Sequence, residues 1–560
     1  MQYIGARYVP KFMGAYDVTQ EYEALCVVDN GLGTSYITKI PTPAGTPLTD
    51  TTHWALYGAS SGAVINLQNQ IDAMDLRVDG LETGLLWTTP EAFNAAGDGV
   101  TDDSQAFIDC VDYAKTNKCA IMLRNSYYIT QKIELFSGCM IVGSNCTINI
   151  DYVDPSTTSY DWFCFDVSNC NNVRITGCNF VGTGADTSIY THCIFVGGAY
   201  ASNITIDHCS FKDIQAEGAI IFFESHDIDV SYCKIVDYTF TGITFGDYTY
   251  NATASHNTIL NGHITGTGHV DRYPISICGF SYILSNWNRP MPSNLAALYN
   301  YIEDDAAEWE GIDAHGGNHI RVIGNVVKNT AIPIAIFSDD NRYFKVTDAI
   351  ISDNLTIQED NKMPSGKQFY ASAFSGLQMV VSNNQFKMFW TSTPSSQSLS
   401  DYFGVSVGGR VEFSNNVCID LPNCVVALGN YPGAVDINSN NFRSTISTLE
   451  NNSYLIGFTD STSLITAQVR NNNVDYLHPY NEFAVHANSI AVFEDNEYGQ
   501  ITYLLSWGTG SHFIPDYCTA AELPTIRVPG HVVHNQDPAS GQPVGWIGVR
   551  GSGWVAVANL

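Results

Sequence analysis

The stretch "ITIDHCSFKDIQAEGAIIFFESHDIDVSYC" (residues 204–233) contains the pattern that decides the fold. Twice in it an apolar residue is followed three positions later by Cys, first Ile206 and Cys209, then Val230 and Cys233. The spacing recurs with Cys or Asn as its last residue at Cys178, Cys209, Cys233, Asn257, Asn286, Asn325, Asn354, Asn384, Asn416, Asn440, Asn472 and Asn496. The mean interval of about 29 residues is typical of solenoids.

The residues between these ladder positions favour strands, because β-branched residues alternate with polar ones and no helical period appears. An all-β chain with one ladder residue per coil predicts a right-handed parallel β-helix. An inward Asn can hydrogen-bond the backbone of the next coil, whereas a thiol fills the same space as a small apolar group. The fifteen cysteines therefore predict buried free thiols, with a disulfide between Cys209 and Cys233 as the alternative.

Composition excludes several classes of partner. The 25 basic and 56 acidic residues give a net charge of −31, which repels nucleic acid and anionic membranes. Residues 1–7 contain no apolar signal segment, and no apolar run is long enough for membrane insertion. Aromatic residues are abundant and charged ones few, a balance that suits neutral, hydroxyl-rich ligands, although Tyr is also common in ordinary strands.

Changes in composition divide the chain into four predicted regions: 1–60, 61–87, 88–505 and 506–560. The first is predicted to be a small β module, and its segment "SYITKIPTPAGTPLTDTTHWALYG" (35–58) resembles small chitin-binding-type modules. Two interpretations follow. Tyr36 and Trp54 either stack on a glycan or form the mini-core of an attachment module, and we favour the mini-core.

Region 61–87 carries apolar residues at alternating spacings of three and four: Val64, Leu67, Ile71, Met74, Val78, Leu81 and Leu85. This heptad seam predicts a coiled-coil neck and an oligomer. Val and Ile at a with Leu at d favour a parallel dimer. The neck also resembles those of trimeric phage fibres, which implies a homotrimer. A single amphipathic helix packed on its own chain is the remaining alternative.

The segment "GDGVTDD" (97–103) begins the solenoid and is followed by a predicted helix with Ala106, Phe107, Cys110, Val111 and Ala114 on one face. The helix would cap the open end of the coil. The segment closely resembles the start of pectate-lyase-like β-helices, a superfamily that includes polygalacturonases and phage tailspike depolymerases. By that resemblance Asp102 and Asp103 are structural and not catalytic.

Region 506–560 is Gly-rich and contains Trp546 and Trp554. It resembles the terminal β-hairpin segments of phage tail proteins. We expect a small folded β domain at the tip, with glycan contact as the other interpretation.

The longest interval of the ladder, 39 residues from Asn286 to Asn325, predicts an insertion beside a binding face. In "GIDAHGG" (311–317), strand alternation would direct Ile312 and Ala314 into the coil and place Asp313 and His315 side by side on the solvent face.

Hydrolysis of a glycosidic bond needs two carboxyl groups, and coils about 4.8 Å apart can supply them. Mutual repulsion would raise the pKa of one carboxyl group, and an imidazole could orient a carboxylate or transfer a proton itself. The predicted catalytic residues are Asp313, His315, Glu310, Asp339 and Asp340, with Asp247 and His486 ranked lower. The predicted sugar-stacking residues are Trp309, Trp287, Tyr273 and Tyr301.

Two other functions stay open. A polysaccharide lyase would need a base and a cation, and Ca²⁺ bound by Asp304, Asp305 and Glu308 could supply the cation. A non-catalytic adhesin needs neither. The sequence contains no metal motif of the CxxC type, no P-loop and no dinucleotide fingerprint, so we predict no other cofactor.

Together these resemblances imply a phage tailspike located in the virion tail. The implied partners are a surface polysaccharide of the host and a phage tail or baseplate protein that contacts the N-terminal module. The implied reaction is depolymerisation by hydrolysis.

Overall fold

The structure, a computed structural model, divides the chain into two compact units, Met1–Leu86 and Trp87–Leu560, and each is considered by itself. Among the described residues, no helix is long and apolar enough to cross a membrane. The residues that the structure describes are 11–30, 35–58, 86–150, 162–182, 191–197, 201–214, 218–238, 240–246, 248–262, 273–279, 293–303, 310–330, 332–337, 346–359, 369–372, 378–389, 403–406, 409–420, 425–428, 433–444, 456–458, 465–476, 483–485, 490–498, 506–507, 512–514, 517–518, 532–535, 542–543, 545–549 and 553–557.

The first unit contains a four-stranded sheet in which the first pair of strands is parallel and the others are antiparallel. The strands are Lys11–Ala15, Cys26–Asp29, Ser35–Thr38 and Trp54–Gly58. Trp54 is buried with Tyr22, and the two rings meet edge to face at 5.4 Å. Tyr36 packs against the same cluster. Trp54 therefore belongs to a mini-core, as the favoured interpretation holds.

The predicted coiled coil cannot be compared with the structure. Residues 59–85, which include the whole seam from Val64 to Leu85, lie outside the described residues. The neck stays a prediction.

The second unit is a parallel β-helix, which confirms the predicted fold. Each complete coil contributes to three parallel sheets, which we name PB1, PB2 and PB3 in chain order within a coil. Side chains alternate between the interior and the outer surface, so the Ile, Val and Phe residues of successive coils stack into one continuous core. Along PB1, for example, Ile275 lies beside Ile312, and Ile312 lies beside Ile334.

PB1, the sheet that carries Asp313, has fourteen strands within the described residues. Its strands are Ile133–Glu134, Trp162–Asp166, Thr191–Val196, Gly218–Phe222, Thr241–Gly246, Tyr273–Gly279, Glu310–His315, Ile332–Phe337, Phe369–Ser372, Phe403–Ser406, Val425–Leu428, Ile456–Phe458, Phe483–Val485 and Ser506–Trp507.

PB2 and PB3 share the long strands Met140–Ile150 and Asn171–Gly182. The other PB2 strands are Trp87–Thr88, Ala120–Leu123, Ser202–Asp207, His226–Ser231, Tyr250–Ser255, Ser293–Leu298, Asn318–Ile323, Asp348–Ser352, Gln378–Ser382, Arg410–Ser414, Gly433–Asn438, Ile465–Arg470, Ile490–Glu494 and His512–Ile514. The other PB3 strands are Asp98–Asp102, Ser126–Ile129, Ser210–Ile214, Lys234–Tyr238, Thr258–Leu260, Tyr301–Glu303, Val326–Lys328, Leu355–Glu359, Gln385–Phe389, Val417–Ile419, Asn441–Ser444, Asn473–Tyr476 and Glu497–Tyr498.

The Asn ladder lies inside the turn between PB2 and PB3. Asn325 shows the arrangement: its Nδ2 donates to the carbonyl oxygen of Ala297 in the preceding coil at 2.9 Å and to Oδ1 of Asn354 in the following coil at 2.9 Å. The acceptor carbonyl belongs to the residue three positions before the preceding rung, which explains the spacing in the sequence. The rungs with amide side chains are Asn257, Asn300, Asn325, Asn354, Asn384, Asn416, Asn440, Asn472 and Asn496.

One predicted rung is wrong. Asn300, and not Asn286, connects Asn257 to Asn325: it accepts from Asn257 Nδ2 at 3.0 Å and donates to Asn325 Oδ1 at 3.0 Å. The long interval is therefore the 43 residues from Asn257 to Asn300, and only 25 residues separate Asn300 from Asn325. Ile283 and Ala297 are both apolar, so the spacing fits either Asn, and only the hydrogen bonds distinguish the two.

Thiols occupy the ladder before Asn257. Cys178, Cys209 and Cys233 are buried and free, and Cys146 extends the ladder by one coil because it pairs in register with Cys178. The Sγ of Cys233 lies 3.6 Å from the carbonyl oxygen of Ile206, the position at which an Asn rung places its Nδ2.

The predicted capping helix is Ser104–Asn117, with the predicted face buried. Phe107 reaches the first coils, where its ring lies 5.0 Å from that of Tyr127. A short 3₁₀ helix, Pro90–Phe93, precedes it. The aspartates of "GDGVTDD" accept local hydrogen bonds: Asp102 from the hydroxyl of Ser104 at 2.6 Å, and Asp103 from the amide of Ala96 at 2.6 Å. Their contacts agree with a structural role.

The C-terminal region folds into a second four-stranded sheet. Its strands are Tyr517–Cys518, Val532–Asn535, Gly545–Val549 and Gly553–Ala556. Trp546 is buried against Val533, and Trp554 packs on the same cluster, which favours a folded cap over an open glycan surface. The β-helix strands continue to Ile514, past the predicted boundary at residue 505.

Candidate functional site

Asp313 and His315 lie together on the outer side of the PB1 strand Glu310–His315. Ile312 and Ala314 are fully buried in the coil, as alternation predicts. The Nε2 of His315 lies 3.1 Å from Oδ1 of Asp313. The predicted pair is therefore formed.

The two side chains differ in exposure, and this differs from the prediction. His315 is 39% exposed, whereas Asp313 is completely buried although it is directed outward. Alternation determines the direction of a side chain but not what covers it. The result is a buried carboxylate behind a half-exposed imidazole.

Burial raises the pKa of the Asp313 carboxyl group, because desolvation disfavours its charged form. The neighbouring His315 opposes this shift through its charge, its Nε2 lying 3.1 Å from Oδ1. The Ser276 hydroxyl group on the adjacent strand opposes it further. These two residues therefore favour the ionised form of Asp313 at a place where the protein interior disfavours it.

Ser276 was not predicted from the sequence. It lies directly beside Asp313 on the neighbouring PB1 strand, and Thr244 lies beside Ser276 on the next. All three are buried, while the residues before and after them in the same outward column, Ile221 and Ala335, are apolar. Burying three adjacent polar side chains costs free energy unless they interact. Thr244, Ser276 and Asp313 are far apart in the sequence, and only the register of the PB1 strands brings them into one column.

Glu310 begins the same strand, three positions before Asp313, and it is also buried. A catalytic pair of Glu310 and Asp313 stays a prediction. Asp339 and Asp340 lie outside the described residues. They follow Phe337, which is paired in register with His315.

The predicted sugar-stacking residues do not gather around His315 in the part of the chain that the structure describes. Tyr273 is buried and meets Phe240 edge to face at 5.7 Å. Tyr301 belongs to PB3, where Lys328 Nζ lies 5.1 Å from the centre of its ring and 2.9 Å from its hydroxyl group. Trp287 and Trp309 lie outside the described residues, as do Asp247 and His486.

Two glycines follow His315 and end the strand. Gly316 and Gly317 have φ values of 92° and 125°, which L side chains rarely adopt. The chain can therefore leave PB1 immediately after His315 and enter the PB2 strand Asn318–Ile323. His315 is thus held at the edge of PB1.

A buried carboxylate behind an exposed imidazole orients the ring and stabilises the imidazolium formed when the ring takes a proton. The arrangement is suited to proton transfer. Among the described residues, no group of three or more His, Cys, Asp or Glu side chains could hold a metal ion. Asp304, Asp305 and Glu308, proposed as Ca²⁺ ligands, lie outside them.

No protein-family model and no curated protein matches this chain. Solved structures with a similar fold include PfbA, a surface adhesin of Streptococcus pneumoniae, which is 13% identical over 85% of this chain and 100% of its own, with a TM-score of 0.39. A GH87 α-1,3-glucanase from Streptomyces thermodiastaticus is 13% identical over 78% of this chain and 71% of its own, with a TM-score of 0.42. The Dettilon tailspike protein is 13% identical over 75% of this chain and 68% of its own, with a TM-score of 0.39. The similarity is one of fold.

Proposed function

We propose that this protein binds a polysaccharide of a host cell surface and cleaves it at PB1. In this proposal His315 transfers the proton, and Asp313 is a positioning residue that orients it. The observation that carries the proposal is the buried Asp313 carboxylate 3.1 Å from the half-exposed His315 imidazole.

Hydrolysis is the proposed reaction. It needs an acid or base and a second group on the other side of the glycosidic bond. Asp339 and Asp340 are the candidates for the second group, because they follow Phe337, the register partner of His315 on the next coil. One of their carboxyl groups would activate a water molecule or attack the sugar as a nucleophile. His315 would donate a proton to the leaving oxygen.

β-Elimination is the second candidate, and a specific observation favours it. The exposed member of the pair is an imidazole and not a carboxylate. An imidazole held by a buried carboxylate can act as the base that removes a proton next to the carboxyl group of a uronate. The net charge of −31 weighs against a polyuronate substrate, which is why hydrolysis is preferred.

The test is incubation of the full-length protein with a panel of purified bacterial capsules and O-antigens, together with dextran, mannan, alginate and polygalacturonate. New reducing ends without unsaturated sugar indicate hydrolysis, and ultraviolet-absorbing unsaturated sugar indicates elimination. Binding without shortening of any polymer would contradict the catalytic proposal and leave an adhesin.

His315→Ala is expected to lower kcat by about 10²-fold to 10⁴-fold, the usual contribution of a general acid or base. His319→Ala is the matched control. His319 is also paired with an aspartate, its Nδ1 lying 2.6 Å from Oδ2 of Asp348, but it belongs to PB2. Equal losses in the two variants would contradict the assignment of the site.

The wider biological proposal is a homotrimeric tailspike in a phage tail. The resemblance of the heptad neck in residues 61–87 to the necks of trimeric phage fibres supports the trimer, and the resemblance of "GDGVTDD" to the start of tailspike β-helices supports the class. The N-terminal module would contact the phage tail or baseplate protein.

A further inference from the structure

A row of exposed rings runs along the turn between PB2 and PB3, away from PB1. His208, Tyr232, His256 and Tyr299 stack on four successive coils, with ring centres 5.1, 4.8 and 5.4 Å apart. Tyr232 is 54% exposed and Tyr299 56%. We call these four residues the ring stripe.

The ring stripe departs from the rule that this turn follows elsewhere. The residue immediately before each ladder residue has a positive φ, a conformation favoured by Gly, Asn and Asp and costly for bulky side chains. The thirteen residues at this position are Asn145, Gly177, His208, Tyr232, His256, Tyr299, Gly324, Asp353, Asn383, Asn415, Ser439, Asn471 and Asp495. Rings occupy four neighbouring coils and no other coil in this set. Backbone strain concentrated in one place is a reason to look for a function there.

Glycines border the ring stripe on both sides. Gly324 follows it, and a side chain at Gly324 would collide with the ring of Tyr299. Gly177 precedes it, and the three atoms nearest to the position that a Cβ of Gly177 would take all belong to Gly143, not to His208. The stripe therefore has defined ends and is not part of a longer stack.

The PB2 surface beside the ring stripe is polar and partly open. Thr205, Asp229 and Thr253 lie side by side on its three neighbouring strands and are half-buried, in contrast to the fully buried polar column of PB1. At the other end of the same strands, His226 and Tyr250 stack at 4.6 Å. Rings thus border this surface on both sides, with hydroxyl and carboxyl groups between them.

The charges around this surface exclude polyanions. Asp207, Asp227 and Asp229 lie on or beside it, and the neighbouring cation Arg174 is paired with Asp207 at 2.6 Å. Rings, hydroxyl groups and an excess of carboxylates over cations suit a ligand with many hydroxyl groups and no negative charge. The row also follows the solenoid axis, so that a linear polymer could contact one ring per coil.

We infer that the ring stripe and the adjoining PB2 surface form a second, non-catalytic site for a neutral polysaccharide chain lying along the solenoid axis. The inference rests on the proposed function only for the class of ligand. Such a site would keep the polymer bound while PB1 acts on another part of it.

The test replaces the rings with the residue that this chain uses at the same turn. In the combined variant His208→Asn, Tyr232→Asn, His256→Asn and Tyr299→Asn, the rings are lost but positive φ is better tolerated. We expect an unchanged or higher melting temperature, retardation by neutral polymers in affinity electrophoresis weakened by about tenfold or more, and unchanged cleavage of short oligosaccharides. Asn383→Ser with Asn415→Ser is the matched control, since Ser439 occupies the equivalent position.

The probes are dextran, mannan and the neutral and anionic polymers of the bacterial panel named above. Equal retardation of the folded Asn variant and the unaltered protein overturns the inference, as does retardation by anionic polymers alone or by none. A change in assembly mass in light scattering also overturns it, because a second copy of the chain would then occupy the stripe. If the Asn variant binds normally while His315→Ala stops cleavage, the second site fails and the proposed function stands. If the Asn variant loses binding but the unaltered protein cleaves nothing, the catalytic proposal fails and the second site stands.

Discussion

At the scale of single residues, Asp313 shows a conflict between stability and function. Its carboxyl group is fully buried, and burial raises its pKa. The neutral form of Asp313 is therefore more favoured in the folded protein than in the unfolded chain. The ionised form, which His315 needs as a partner, is obtained at a cost to the free energy of unfolding.

Asp313→Asn is expected to lower kcat by about 10²-fold or more, because His315 loses the carboxylate that orients it. The same substitution should raise the melting temperature at neutral pH. The folded state binds the proton of Asp313 more tightly than the unfolded state, so the stability of the unaltered protein falls as pH rises above the ordinary Asp pKa of about 3.9. The Asn variant has no carboxyl group at this position, so its stability does not fall with pH for this reason.

Melting curves of both proteins across pH provide the measurement. The two melting temperatures should converge below the ordinary pKa of Asp, where the carboxyl group is protonated in both states, and separate above it. A variant that is less stable than the unaltered protein at neutral pH would show that the Asp313–His315 pair stabilises the fold.

Ser276→Ala tests the positioning role of the polar column. The Ser276 hydroxyl favours the ionised form of Asp313, so its loss should raise the pKa of Asp313 further. We expect the acidic limb of the pH profile of kcat/KM to move to higher pH, with the plateau retained. A uniform loss of activity at every pH would indicate a packing defect instead. Ser225→Ala, which alters a buried serine in the turn after the PB1 strand Gly218–Phe222, three coils before Asp313, serves as the control.

At the scale of elements, the ladder uses two side chains for one position. Asn rungs donate to a carbonyl oxygen in the preceding coil and to the amide of the next rung, as Asn354 does with Val322 and Asn384. Cys rungs place Sγ near the equivalent carbonyl oxygen but add little hydrogen-bonding energy. Cys233 and Asn257 form the boundary, where Oδ1 of Asn257 accepts the backbone N–H of Cys233 at 2.9 Å.

Asn354→Ala is expected to lower the free energy of unfolding by about 3 kcal/mol or more, because it leaves several buried polar groups without partners. Cys233→Asn should be neutral or stabilising, because Asn257 and the carbonyl of Ile206 can serve as its partners. Chemical denaturation of each variant measures both effects. Asn471→Gly, on the exposed side of the equivalent turn, is the control and should change stability far less, because Gly also tolerates the positive φ of this position. A cost for Cys233→Asn as large as that for Asn354→Ala would show that the first coils require thiols.

The sequence was sufficient for the elements that repeat. The recurrence of one rung per coil predicted the β-helix, and the apolar face from Ala106 to Ala114 predicted the capping helix. It was insufficient where two residues satisfied the same pattern, as with Asn286 and Asn300. The candidate site divides in the same way: alternation placed Asp313 beside His315, but burial of Asp313 and the contact with Ser276 depend on neighbours many residues away in the chain.

At the scale of the whole molecule, the β-helix contributes a long surface with two separate faces of interest. PB1 carries the proposed catalytic pair, and the turn between PB2 and PB3 carries the ring stripe. A trimer would multiply both faces, so the oligomeric state determines how many polymer strands one particle can engage.

Ile71→Asp together with Val78→Asp should convert the proposed trimer into monomers, because two charges would be buried at a positions of the seam. Light scattering of the full-length protein should then report the chain mass of 61.3 kDa in place of three times that value. Asn69→Asp, which lies off the seam, should leave the trimer intact. A monomer before substitution would contradict the neck, and a trimer after it would place the association elsewhere.

The Asn ladder also has a consequence for the order in which the molecule folds. Nδ2 of each rung from Asn257 to Asn472 finds its second acceptor only in the coil that comes later in the chain. A growing solenoid that pauses after any of these coils therefore ends in an amide with one partner missing, and docking the next coil removes that penalty. The thiols of Cys146 to Cys233 contain no strong donor that needs such a partner, so this dependence on the following coil is expected to be weaker in the first coils than in the later ones.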